Sequence, residues 1–219
     1  MVQRADNRKA RLDKDLRRKD GNKNPRKVVE VHCEGRVTEP KYLNTLKKML
    51  RSREDVELNI EKGSGRDPLS IVSAAVESKR LGGVDEIWCA FDVDDHQTID
   101  EAVRLALNED INLAISNPCF ELWLILHLQN QNAHIGTADA VKLRAKLDGS
   151  KDKNLDVNKY LPNIEIAQHR AQLLDIHHKG TGNNFPKNNP SSGMHKLLKS
   201  LGFESPDSTN DTSMGKTIS

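Results

Sequence analysis

Hydrophobic positions in the first half of the chain recur with two alternating periods. Val28 to Cys33 form a β-branched run of the length of a buried strand. Beyond Glu34-Gly35, the residues Tyr42, Leu43, Leu46, Met49 and Leu50 fall on one helical face, with Thr38 as the expected cap and Glu39 and Pro40 in the first turn. The order then repeats. Val56, Leu58 and Ile60 alternate with polar residues, Gly63-Ser64-Gly65 ends that strand, and Asp67-Pro68 opens a second helix. Glu86 to Phe91 predicts a third strand, followed by Asp92-Val93-Asp94-Asp95-His96 and a helix carrying Ile99, Ala102, Val103, Ala106 and Leu107. Ile111 to Ile115 predicts a fourth strand. Strands separated by helices imply right-handed crossovers, hence an α/β fold with a mainly parallel sheet and helices on both faces.

The texture changes after Ser116-Asn117-Pro118. Cys119 to Leu128 is too uniformly apolar for a surface helix and is expected to pack deep against the sheet. Gly136 to Asp148, Asn163 to His178 and Met194 to Leu201 read as helices, the first two joined by the polar segment Gly149 to Asn158. The expected organisation is a basic, flexible arm over 1–26, a catalytic core over 27–129, a C-terminal helical extension or lid over 130–203, and a disordered tail over 204–219.

Composition narrows the function. The chain has 219 residues, enough for one α/β core with extensions. Only 4% are aromatic, so base stacking is not its main means of binding. The net charge of +2 conceals an asymmetry: residues 1 to 27 hold eleven Lys/Arg and four Asp/Glu, or +7, leaving −5 for the remainder. Arg8, Lys9, Arg11, Arg17, Arg18 and Lys19 of this arm, with Arg36, are candidates for contact with nucleic acid, because each phosphate neutralised releases counterions. A solvated terminus is the competing reading. Cys33, Cys89 and Cys119 sit in apolar runs with no CxxC pair, as buried thiols do. No apolar stretch reaches membrane-spanning length, so the expected compartment is the cytoplasm and no membrane contact is expected.

The candidate chemistry lies in carboxylates at strand ends. Ligands of an open parallel sheet gather at the carboxyl edges of its strands. Glu34 ends the first strand and Asp92 the third, with Asp94 two residues on, so all three can meet at one edge. Such a cluster repels itself unless a divalent cation neutralises it, and an oxygen-only set favours Mg²⁺ or Mn²⁺ over zinc. Gly35 permits close approach by a phosphate. Supporting candidates are Glu39, better explained by helix capping, and His96 as a proton shuttle. Asn117 and Glu121 lie beside the expected crevice, and Lys187 would reach a phosphate if its loop folds over. His127 reads as a satisfied core histidine.

VHCEGRVTEPKYL and EIWCAFDVDDH resemble the two halves of a Toprim signature, and AISNPCFELWLILH is similar to the most distinctive stretch of the RloB family, whose members also tend to begin with an Arg/Lys-rich arm. The resemblance spans Arg26 to about His127. It implies a Toprim-like catalytic core acting as a metal-dependent nuclease in a bacterial antiviral, abortive-infection or restriction-linked system, under the control of an ATPase encoded nearby. It carries Glu34 over as the acid or base beside the metal and Asp92 and Asp94 as metal ligands; Asp95, a further candidate ligand, is an additional acid that the bare DxD pattern does not require. The substrate is left open between DNA and RNA, including tRNA, and so is self-association into a homo-oligomer. Two alternatives stand beside the nuclease: a non-catalytic nucleic-acid-binding or ATPase-tethering subunit with a structural metal, and a nucleotidyl transferase.

Overall fold

The computed structural model describes residues 26–52, 55–61, 63, 67–93, 97–150 and 155–203. Asp94, Asp95, His96, the basic-arm candidates from Arg8 to Lys19 and the 204–219 tail lie outside the described residues. Four parallel strands, β1 (Lys27–Cys33), β2 (Val56–Glu61), β3 (Glu86–Asp92) and β4 (Asn112–Asn117), alternate with helices α1 (Thr38–Leu50), α2 (Pro68–Leu81) and α3 (Ile99–Asn108). Helices α4 (Phe120–Leu128), α5 (Thr137–Asp148), α6 (Ile164–Thr181) and α7 (Met194–Ser200) follow, with the two-residue strand β5 (Ser191–Ser192) before α7. The α/β class, with a mostly parallel five-stranded sheet and helices on both faces, is as expected from the periodicity. β5, antiparallel to β4, is an addition the periodicity did not carry, since two serines hold no hydrophobic period.

The strand order is β2-β1-β3-β4-β5. The chain steps from β1 to β2 in one direction and then passes back over β1 to β3. A right-handed crossover in each direction puts its helix on the opposite face. α1 accordingly packs on one face through Tyr42, Leu43, Leu46 and Leu50 against Val29, Val31, Leu58 and Ala90. α2 and α3 cover the other through Ile71, Val72, Ala102 and Ala106 against Ile87, Cys89 and Phe91. α4 lies on the α1 face, where Leu122, Trp123, Leu124 and Leu126 are fully buried in the cluster that also takes in Ala171 of α6 and Leu197 of α7.

Three local expectations are corrected. Thr38 is not the cap of α1: the cap position is Val37, and no side-chain cap bond forms there. Met49 and Leu107 stand exposed at 42% and 73%, because both helices bury a narrower stripe than a plain count of apolar residues suggests. β4 runs through Asn117, two residues beyond the apolar run, because Asp92 and Asn117 continue the pairing with Ser116 and Ser191. Asp67, by contrast, caps α2 as read, its carboxylate accepting from the Ser70 amide at 3.3 Å. No helix among the described residues is long and apolar enough to cross a membrane.

Candidate active site at the carboxyl edge of the sheet

The reversal of direction in the strand order falls between β1 and β3. That is where an open α/β sheet parts to leave a crevice at its carboxyl edge. Glu34 lies at the end of one strand and Asp92 at the end of the other. The Glu34 amide donates to the Ala90 carbonyl at 2.9 Å, extending the β1–β3 ladder by one bond. Its side chain then crosses to β3, where Oε2 accepts from the Asp92 amide at 3.0 Å. Both residues are half-buried. Glu34 is thereby fixed across the switch point, against the last residue of β3.

Two further carboxylates converge on this edge. Glu39 is only 7% exposed despite its place in the first turn of α1. Burial raises its pKa above the ordinary carboxylate range, and the negative charges of Glu121 and Glu34 push the same way, against amides of Glu39 itself and Gly35 that favour the ion. The buried Cys119 thiol is likewise raised, first by desolvation and then by Glu121 and Asp92. Glu39 thus feels the charges of Glu121 and Glu34, and Cys119 those of Glu121 and Asp92, which sets these carboxylates near the same edge of the sheet. Glu39 thus both occupies the first turn of its helix and faces the site.

Close backbone approaches shape the floor. A Cβ at Gly35 would lie 2.0 Å from Glu39 Oε2, so the glycine leaves the room the buried carboxylate occupies. A Cβ at Gly63 would lie 2.0 Å from the Glu34 carbonyl oxygen and 2.2 Å from that of Cys33. The register explains it, since His32 pairs with Glu61 and two further steps bring Gly63 beside Glu34. Sequence reading saw in Gly63 only a strand end, because the contact exists only once β2 is known to neighbour β1.

On the β4 side, Asn117 is 3% exposed and its Nδ2 donates to the Pro186 carbonyl at 2.9 Å and to Asn188 Oδ1 at 3.2 Å. Asn117 is therefore a clamp that holds the turn containing Lys187 against the end of β4. Phe185 of that turn packs into the α2–α3 core. Lys187 is exposed at this edge, as is Arg36 on the β1 side. The role of Asn188 was not apparent from the sequence, where it is one of several asparagines in a polar loop.

Among the described residues no three His, Cys, Asp or Glu side chains are grouped closely enough to hold a metal ion. An oxygen-only edge with a buried carboxyl pushed towards its neutral form nevertheless suits a hard divalent cation, which would relieve the repulsion between Glu34, Glu39 and Glu121. Glu34 and Asp92 are the described residues that would contribute to holding it.

Compared with protein-family models, the chain matches that of the RloB-like protein over residues 29–201. The match begins at the third residue of β1 and takes in every described strand and helix after it through α7. No curated protein and no solved structure matches the chain.

Proposed function

This chain belongs to the RloB-like protein family, and on that premise we propose that it is a Mg²⁺- or Mn²⁺-dependent nuclease of the Toprim type, hydrolysing phosphodiester bonds of DNA or RNA in a bacterial antiviral system. The observation that carries the reading is the reach of Glu34 across the β1–β3 switch point to the Asp92 amide, beside the buried Glu39 and the half-buried Glu121. The resemblance of the Glu34-Gly35 and Asp92-Val93-Asp94 turns to the Toprim signature supports the same assignment.

A divalent ion bound at such an edge polarises the phosphate and lowers the pKa of an attacking water. Asp92 and Asp94, with Asp95 adjacent, are the proposed ligands. Glu34, held by the Asp92 amide, is placed to take the proton of the water or to return one to the leaving oxygen. Glu121 and Glu34, whose negative charges act on Glu39, make this edge one that binds a cation before it tolerates a phosphate. Arg36 and Lys187, exposed on opposite sides of the edge, are placed to contact flanking phosphates. An ATPase encoded nearby is the proposed partner that controls the activity, which stays off until that partner or a phage trigger engages the chain, and the cytoplasm is the proposed compartment.

The test is cleavage of plasmid DNA and of tRNA by the purified full chain with Mn²⁺ or Mg²⁺, beside Glu34→Gln and Asp92→Asn. Each substitution is expected to lower the rate by about 10²-fold or more, the usual scale for removing a group that acts on the reacting centre. Cleavage at equal rates in all three preparations would overturn the site assignment. Template-dependent nucleotide incorporation by the same preparations would favour nucleotidyl transfer instead.

A further inference from the structure

The solvent face of α1 carries positive charge only. Its one carboxylate, Glu39, is buried, whereas Lys41, Lys48 and the Arg51 that follows the helix are exposed. Lys41 and Lys48 are seven residues apart and Arg51 three further on, so all three project along one ridge. Asn44 and Thr45 between them turn their side chains back onto the Pro40 and Lys41 carbonyls at 2.7 and 2.9 Å, leaving the ridge to the cations.

The ridge also has a direction. α1 starts at the Glu34–Val37 turn, immediately beside the carboxylate pocket, and runs back towards the amino ends of the strands. At the far end Arg51 and Lys47 meet Arg26 in a groove lined also by Val56, Glu57 and Leu58 of β2. At about 1.5 Å per residue, Lys48 and Arg51 lie roughly 10 and 15 Å along the axis from Lys41. Those are spans of about three and four phosphates at ~3.4 Å per phosphate on one strand.

We propose that the outer face of α1 is the track along which a polynucleotide backbone leaves the carboxylate pocket, its phosphates held by Lys41, Lys48 and Arg51. The inference rests on the nuclease reading and deepens it, by naming the ligand as a nucleic-acid strand and giving its path. Its specificity is for charge: the ridge has no aromatic platform among its exposed residues and takes the backbone in preference to the bases.

The experiment is fluorescence anisotropy of a labelled single-stranded oligonucleotide bound to the full chain in EDTA, titrated at several salt concentrations. The combined Lys41→Gln, Lys48→Gln, Arg51→Gln variant is expected to bind roughly ten-fold more weakly at low salt, with the slope of log K against log salt shallower by about 2, at ~0.7 per cation lost. A Lys142→Gln, Lys146→Gln variant of α5 is expected to match the wild type. Lys48→Glu alone gives a second measure, expected to weaken binding without altering the melting curve. The proposal is overturned by an unchanged slope, by an equal loss in the α5 variant, by no binding of the wild type, or by poly-glutamate displacing the oligonucleotide as well as unlabelled DNA does. Glu34→Gln separates this from the nuclease reading: it is expected to keep the wild-type slope while losing cleavage, so either claim can fail alone.

Discussion

His127 shows how much a single residue's surroundings decide. It lies 1% exposed on α4, where Nδ1 donates to the Trp123 carbonyl at 2.8 Å and Nε2 accepts from the Tyr42 hydroxyl at 3.1 Å. Burial, with Arg170 acting in the same sense, brings its pKa down to about 4, against an amide-carbonyl contact that favours the cation. A histidine depressed in the folded state contributes stability that is present above the unfolded value of 6.5 and lost as pH falls towards 4. About 3 kcal/mol is at stake if the whole shift is realised. Chemical denaturation between pH 7 and pH 4 is expected to show a shallower loss of stability for His127→Gln than for the wild type; parallel curves would place the proton uptake elsewhere. The satisfied core role of this histidine was readable from its apolar helix face. The burial of Glu39 was not, because a glutamate in a helix's first turn looks the same in sequence whether it caps in solvent or faces a neighbouring strand end.

At the scale of elements, the periodicity located four strands and the helices between them to within a residue or two. It located them because β3 is buried on both faces and reads as a continuous apolar run, β2 is buried on one and alternates, and each crossover helix buries one stripe at a 3.6-residue period. What it did not carry is adjacency. Nothing in VELNIE says that β2 sits outside β1, yet that placement brings Gly63 against the Glu34 carbonyl and forbids a side chain there. Gly63→Ala is expected to cost about 1–3 kcal/mol, the usual range for forcing atoms into a packed site. It should also lower cleavage by moving Glu34. Gly136→Ala is the control, since a Cβ there meets nothing within 4 Å. Urea midpoints and initial rates for the two variants provide the comparison, and a Gly63 variant that behaves like the Gly136 variant would show the β2 end to be more yielding than its contacts imply. The Asn117 clamp on the Pro186–Asn188 turn escaped the sequence for the same reason: its partners are about seventy residues away.

For the whole molecule, one core joins β1, α1 and α4 to α6 and α7, so the C-terminal helices support the face of the sheet that carries α1. Carboxylates gather at the start of that helix and cations run along its back, the arrangement on which the proposed metal site and the proposed path for a phosphate chain rest. That Glu34 and Asp92 end strands at one edge of the sheet was legible from the crevice rule, while the pairing of β1 with β3 that brings them into contact was not; the part of Asp94 and Asp95 rests on the Asp-Val-Asp-Asp sequence alone. The most direct measurement is anomalous diffraction from crystals soaked in Mn²⁺. A peak within ligating distance of the Glu34 and Asp92 carboxylates, absent from Asp92→Asn crystals, is the predicted result. A peak elsewhere in the molecule, or none at this edge in a well-ordered crystal at saturating Mn²⁺, would contradict the metal site on which the account stands.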